Sequence, residues 1–181
     1  MGALRPFFIG TGCLDKEHFM KKQTRYLVQS AIIAAMYAAL CHLQNIILPN
    51  SASWPIQFRV AEALCVLPLF SSAAIPGLTV GCFIFNITYP GAMPLDIVIG
   101  PVASLLAAVG MYRLRKFPWL SFALPAVSNA LLVGWELSYY FSGGFLINAL
   151  YVAIGEVAVL YTLGAALYKA TKPHANRLFP Q

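Results

Sequence analysis

The chain has 181 residues, of which 60% are hydrophobic and only 10% are charged. A soluble domain of ordinary composition carries roughly 25% charged residues, so this chain is too apolar to cover its own surface in water. With a mean hydropathy of +0.73, it is predicted to be an all-α integral membrane protein, and a soluble enzyme is excluded.

The net charge of +6 comes from basic residues at the ends of apolar blocks. They form three groups: Lys21, Lys22 and Arg25; Arg113, Arg115 and Lys116; and Lys169, Lys172 and Arg177. This spacing is typical of the positive-inside pattern of membrane proteins, so the groups are expected to face the cytoplasm. Nucleic acid is not expected as a partner, and the lipid bilayer is.

Residues 1–19 differ in composition from the rest of the chain. They are interpreted as an N-terminal extension without an assigned role. Residues 20–181 are predicted to form one membrane domain, because no loop is long enough to carry a second module.

Apolar blocks cover residues 26–48, 60–90, 95–112, 119–141 and 145–168. Four of them have about the length of one membrane span, roughly 20 residues. The block 60–90 is too long, because its 31 or so residues would make a helix of about 46 Å. Ser71, Ser72, Pro76 and Gly77 offer a turn near its centre.

Charge parity supports dividing this block in two. If the first two basic groups both face the cytoplasm, an even number of spans separates them. The prediction is therefore a bundle of six transmembrane helices with both termini cytoplasmic. Their expected ranges are 26–48, 59–72, 75–90, 95–113, 119–141 and 146–169.

Ionisable residues inside membrane spans are rare and usually functional. On the predicted topology the outer half of the membrane contains Arg59, Glu62, Asp96, Glu136 and Glu156. Polar and aromatic residues at the same depth are Gln57, Asn86, Trp135, Tyr139, Asn148 and Tyr151. Together these residues predict a pocket that binds a small molecule from outside.

Structural roles compete with binding at three of these positions. Arg59 and Glu62 are three residues apart on one helix and could neutralise each other. Asp96 could cap its own helix. Glu136 and Glu156 have no basic neighbour in sequence, which favours a binding role for both.

Small residues form two patterns of helix packing. Ala31, Ala35 and Ala39 recur every four residues on the first helix and make a smooth ridge that suits close contact with another helix. That helix belongs either to a partner or to this bundle. Gly77 and Gly81 form a similar pair, for which internal packing is the favoured interpretation.

Several motifs of catalysis are missing from the sequence. It contains no G-x-x-x-x-G-K-[ST] phosphate loop, no H-E-x-x-H and no G-x-S-x-G. Its four cysteines form no C-x-x-C, so neither a metal nor another cofactor is expected. No catalytic residue is predicted, and an evident internal repeat of the kind found in secondary transporters is also missing.

At several of these residues the chain resembles the QueT family of membrane proteins. The matching runs are Pro55–Val60 with Glu62–Leu64, Ala74–Leu78 with Gly81 and Cys82, Leu95–Val98, Gly134–Ser138, and Asn148–Ala153 with Gly155 and Glu156. They keep their order and spacing from about Met20 to Lys169.

Members of this family look like S components of energy-coupling factor (ECF) type ABC importers. The resemblance implies a multi-pass subunit of the bacterial cell membrane that binds a vitamin-like solute. It also implies partners, namely a transmembrane T subunit and two cytoplasmic ATPases that hydrolyse ATP. In such S components an alanine ridge contacts the T subunit, a role that Ala31, Ala35 and Ala39 fit.

The resemblance leaves the solute open. The family is linked to a queuosine precursor, a small polar deazapurine that suits carboxylates and amides. Ala61 and Cys65 stand where Ser and Thr look common, which keeps cobalamin or another corrinoid, and other vitamins, as alternatives. A self-sufficient small carrier or channel and a membrane enzyme are the alternative classes of function.

Overall fold

A computed structural model describes residues 11–49, 58–141 and 143–179, with side chains from Met20 onward in these ranges. Every regular element in the described residues is helical. In chain order they are α1 (Thr11–Ile47), a 3₁₀ helix (Val60–Leu69), α2 (Ala74–Thr88), α3 (Asp96–Arg113), α4 (Pro118–Ser121), α5 (Ala123–Tyr140), α6 (Phe145–Val159), a π-helical turn (Leu160–Gly164), α7 (Ala165–Thr171), a 3₁₀ turn (Lys172–His174) and α8 (Ala175–Leu178).

Four helical stretches in the described residues are long and apolar enough to cross a bilayer. They are Met20–Ile47, Asp96–Arg113, Pro118–Tyr140 and Phe145–Leu178. Only 28% to 50% of the residues in their most apolar windows are buried in the bundle. The remaining apolar surface faces outward, which suits lipid and not water.

The two remaining apolar helices are shorter, with 10 residues in Val60–Leu69 and 15 in Ala74–Thr88. At their ordinary rises per residue each is roughly 20 to 23 Å long, against about 30 Å of hydrocarbon. The prediction of a helical membrane protein is thus confirmed. The count of six spans and the cytoplasmic termini stay predictions.

Helix α1 begins earlier than the predicted start at residue 26, because its backbone is helical from Thr11. The stretch 11–25 contains no proline and is rich in Leu, Lys, Glu, Met and Gln, which favour helix. Hydropathy marks where the apolar part begins, near Met20. It does not mark the beginning of the helix, which continues across the boundary between residues 19 and 20.

The predicted helix 59–72 is a ten-residue 3₁₀ helix over Val60–Leu69, with Pro68 inside it. All residues from Ala61 to Leu69 are buried, and α1, α3, the π-helical turn and α7 surround them. Such a long 3₁₀ run is uncommon. Gln44 of α1 holds its beginning, because Gln44 Oε1 accepts a hydrogen bond of 2.7 Å from Val60 N and Gln44 Nε2 donates to Phe58 O.

The last predicted helix, 146–169, is divided by the π-helical turn. Gly164 lies in this turn, and a Cβ placed there would be 3.2 Å from Val66 Cγ1 of the 3₁₀ helix. The wider turn therefore lies where the last helix meets the 3₁₀ helix most closely, and only a glycine fits the contact without displacing Val66.

Glycines allow α1 and α2 to pack with their backbones in contact. A Cβ at Gly77 would lie 2.8 Å from Ser30 O, and one at Gly81 would lie 2.8 Å from both Ala34 O and Tyr37 Cβ. Gly134 of α5 approaches Ala149 of α6 in the same way, with Cα of Ala149 at 2.7 Å from the added atom. These contacts agree with internal packing of Gly77 and Gly81.

Hydrogen bonds define two ends of the bundle. At one end, called here the polar end, the end of α1 meets the end of α2, since His42 Nε2 lies 2.8 Å from Thr88 Oγ1. The 3₁₀ helix begins and α3 begins at this same end, held by Gln44 and by Asn86.

The opposite end, called the basic end, gathers the first part of α1, residues 70–73 and the C-terminal segment. Tyr26 Oη donates to Ser72 O over 3.4 Å, and Gln29 Nε2 donates to Leu178 O over 3.2 Å. The basic groups near residues 21, 113 and 169 all lie toward this end. Their shared position follows from the contacts and agrees with the charge pattern in the sequence.

Substituting Gly81 with valine is expected to lower stability by about 1–3 kcal/mol, because the added atoms overlap Ala34 O and Tyr37 Cβ. The measurement is the thermal unfolding midpoint of the purified protein in detergent. Val80→Leu, at a neighbouring position that is 47% exposed, is the control and should leave the midpoint unchanged. Equal midpoints for the two variants would contradict the close approach of α1 and α2.

Candidate functional site

Glu62 lies at the centre of a buried polar network and is only 1% exposed. Tyr37 Oη of α1 donates to Glu62 Oε1 over 2.5 Å, and Cys65 Sγ donates to Glu62 Oε2 over 3.0 Å. Residues three apart on a 3₁₀ helix are aligned, which brings Cys65 beneath Glu62. Each carboxylate oxygen therefore has a donor other than Arg59, although Arg59 and Glu62 are near enough to interact electrostatically.

Asn86 and Asp96 connect the end of α2 to the beginning of α3. Asn86 Nδ2 donates to Asp96 O over 2.5 Å, and Asp96 Oδ2 accepts from Met93 N over 2.7 Å. Asp96 thus stabilises the turn that leads into its helix, which is close to the capping role considered from the sequence. Asn86 is 3% exposed, whereas Asp96 is only partly buried.

Glu156 of α6 is 4% exposed and pairs with α5. Asn129 Nδ2 donates to Glu156 Oε1 over 2.6 Å. The other oxygen, Glu156 Oε2, is buried with no hydrogen-bond partner among the described residues. One oxygen of this carboxylate therefore accepts a hydrogen bond within the bundle, and the other accepts none from the described residues.

Glu136 of α5 is 0% exposed, and in the described part of the chain its carboxylate oxygens have no hydrogen-bond partner other than the neighbouring Asp96 carboxyl group. Asp96 and Arg59 are near enough to interact with it electrostatically. Two more buried nitrogens without such a partner are Arg59 Nε and Asn148 Nδ2. Buried polar groups normally have hydrogen-bond partners, so these atoms mark the part of the network that can accept a ligand.

Arg59 is the electrostatic centre of the cluster. Its charge acts at a distance on four carboxyl groups, those of Glu62, Asp96, Glu136 and Glu156. Four carboxyl groups of the described residues thus lie within electrostatic range of one guanidinium. Buried carboxylates in excess of their cations are costly, and hydrogen-bond donors or positive charge on a ligand would compensate them.

Three aromatic residues predicted at the site lie on outward faces of their helices. Trp135 is 53% exposed, Tyr139 is 72% exposed and Tyr151 is 36% exposed. Exposed Trp and Tyr near helix ends are typical of the membrane interface. Their binding role stays a prediction, as does that of Gln57, which lies outside the described residues.

The side chains that hold the carboxylates are not among the site residues predicted from the sequence. Tyr37 and Asn129 each donate to one of the buried acids, and Gln44 holds the beginning of the 3₁₀ helix. A signal was available, since Asn129 is an isolated amide within an apolar helix, where polar residues are seldom without a role.

Metal ligands do not gather in the described residues, where no group of three His, Cys, Asp or Glu could hold an ion. Cys41, Cys65 and Cys82 are free and buried. Cys65 is nevertheless part of the polar network through Glu62.

The alanine ridge of α1 lies on the surface. Ala31, Ala35 and Ala39 are exposed, whereas Ala34 and Ala38 are 5% and 8% exposed and pack inside the bundle. The ridge is thus not covered by any helix of the described chain. It forms a row of small residues along the middle of the apolar part of α1.

These features define a helical membrane protein with a buried acidic site near one end of its bundle. The sequence model of the QueT transporter family matches residues 27–173, and the chain belongs to this family.

A curated relative is the queuosine precursor transporter QueT of Lactococcus lactis subsp. cremoris (strain MG1363). It is 27% identical over 157 residues, which cover 78% of this chain and 90% of the relative. No solved structure gives a significant match.

Replacing Tyr37 with phenylalanine removes a donor from Glu62 and is expected to cost about 1–3 kcal/mol of stability, because a buried oxygen loses its partner. Denaturant unfolding in detergent measures the loss. Tyr161→Phe is the matched control, since it removes an exposed hydrogen bond to Trp119 O. If both variants unfold at the same denaturant concentration as the native protein, the Tyr37–Glu62 hydrogen bond is not a stabilising contact.

Proposed function

We propose that this chain is the substrate-binding S component of an ECF-type ABC importer that takes up a queuosine precursor. Membership of the QueT transporter family supports a role in membrane transport. The Lactococcus relative is a queuosine precursor transporter, which supports the choice of solute. The chain binds the solute, and partner ATPases supply the energy.

The proposed position of the binding site rests on Glu136. Among the described residues its buried oxygens have no partner except the neighbouring Asp96 carboxyl group, and Arg59 lies within electrostatic range. A deazapurine presents ring N–H groups and an exocyclic amine, which are the donors that carboxylate oxygens accept. Asn148 Nδ2 and Arg59 Nε offer donors to the acceptor atoms of the same ring.

The excess of carboxylates favours a solute that carries positive charge or many N–H donors. Four acids share one guanidinium in the cluster. A cationic amine on the solute would therefore replace missing electrostatic pairing, which a neutral solute cannot do. Neither the family nor the Lactococcus relative points to cobalamin, which is kept as the alternative solute in the binding experiment.

The coupling partners are a T subunit in the membrane and two cytoplasmic ATPases. The exposed ridge of Ala31, Ala35 and Ala39 supports a helix contact, because small residues allow two backbones to approach closely in lipid. In this arrangement the basic end faces the cytoplasm and the polar end faces outward, in the bacterial cell membrane.

Glu136→Gln is expected to weaken binding of a queuosine precursor about tenfold or more, because a charged acceptor becomes a neutral amide. Titration calorimetry of purified protein in detergent measures the affinity, with cobalamin titrated in parallel. Ser138→Ala serves as the control, since its hydroxyl bonds to Trp135 O of its own helix. Unchanged affinity in Glu136→Gln would show that this residue is not part of the binding site. Binding of cobalamin in place of the queuosine precursor would show that the proposed solute is wrong.

Ala35→Leu is expected to abolish uptake while leaving solute binding intact, because the larger side chain prevents close approach of a partner helix. Uptake in cells, affinity in detergent and co-purification with a T subunit are measured together. Met36→Leu, at an exposed position off the ridge, should retain all three.

Uptake that survives in Ala35→Leu would show that the ridge is not the coupling surface. Uptake by this chain without ATPases would identify a self-sufficient carrier instead.

A further inference from the structure

A cavity of about 430 Å³ opens at the basic end, opposite the acidic site. Among the described side chains that line it, four are basic, namely Lys21, Lys22 and Arg25 from α1 and Arg115 from beyond α3, and none is acidic. Its remaining walls are aromatic or carry hydroxyl and amide groups. The cavity therefore suits an anion, whereas the polar end suits a cation or an N–H donor.

Contacts between distant parts of the chain build this cavity. The guanidinium of Arg115 lies 4.9 Å from the centre of the Tyr112 ring, a cation–π contact that holds its side chain. Tyr26 and Gln29 of α1 bond to Ser72 O and Leu178 O. The cavity is thus made by α1, the turn after the 3₁₀ helix, the end of α3 and the C-terminal segment.

A second cavity of about 470 Å³ adjoins the first and shares Lys22 and Tyr26 with it. Its other lining residues are Gln23 and Leu27, and Leu27 is 66% exposed on the outer surface of α1. This groove lies where the apolar part of α1 begins, near Met20. A basic cavity and an outward-facing groove thus meet where the apolar part of α1 begins.

We propose that the two cavities together bind one anionic phospholipid. Its phosphate lies among Lys21, Lys22, Arg25 and Arg115, and an acyl chain follows Tyr26 and Leu27 along the outside of α1. Basic pockets between helices at the membrane surface suit anionic headgroups, and the adjoining groove favours a lipid over a free phosphate. The positive-inside pattern requires only charges near helix ends, so it does not account for a cavity that brings four of them together from two segments of the chain.

The test compares two variants that each lose two positive charges from the same end. Arg25→Gln with Arg115→Gln changes the cavity, whereas Arg113→Gln with Lys116→Gln changes exposed residues outside its lining. Native mass spectrometry of purified protein measures binding of phosphatidylglycerol, with phosphatidylcholine as the neutral lipid. The cavity variant is expected to bind phosphatidylglycerol about 30-fold more weakly, from roughly 1 kcal/mol for each basic residue.

The control variant should stay within about threefold of the native protein, which is well under 1 kcal/mol. Equal weakening in both variants, or none in either, overturns the proposal, because binding would then depend on overall charge. Unfolding midpoints of both variants confirm that they are folded.

A further experiment distinguishes a lipid from a soluble anion as the occupant of the cavity. Leu27→Asn should weaken phosphatidylglycerol binding without changing the response to inorganic phosphate. Inorganic phosphate that binds as tightly as phosphatidylglycerol would instead identify a soluble anion as the occupant, and so overturn the lipid assignment.

Discussion

The hydrogen bond from Tyr37 to Glu62 is the contact on which the centre of the bundle depends. A carboxyl group in an apolar interior needs donors, so α1 must place the Tyr37 hydroxyl beside the 3₁₀ helix. Tyr37 is 0% exposed, and its Cβ lies against Gly81 of α2. One residue thus joins three helices, and a change in the position of α1 would disturb both a carboxylate and a backbone contact.

The remaining polar residues divide into a supporting set and a receptive set. Asn86 and Asp96 complete hydrogen bonds within the chain, which holds α2 and α3 in place. Glu136 and Asn148 retain atoms without a partner in the described residues. Each lies within two residues of the close contact between Gly134 and Ala149, which packs α5 against α6. The placement of these receptive residues therefore depends on a close backbone contact between α5 and α6.

Sequence alone predicted the helical membrane class, the turn near Ser71 and Ser72, and the ionisable residues that gather near Arg59. Depth along a helix can be derived from sequence, but the direction of a side chain is harder, because lipid and bundle interior are equally apolar. For this reason Trp135 and Tyr139 were placed at a plausible depth and yet lie on outward faces. The 3₁₀ helix was beyond prediction, since Val60–Leu69 is almost uniformly apolar and its buried surroundings determine its form.

The separation of acidic and basic residues also gives the molecule an electric dipole along the bundle. Carboxylates gather around Arg59 toward one end, and nine lysines and arginines lie toward the other. A membrane voltage acts on such a molecule as a torque, with roughly 2.3 kcal/mol for each charge moved fully across 100 mV. Any rotation of the whole bundle within the bilayer is therefore coupled to voltage, even if no ion crosses the membrane with the solute.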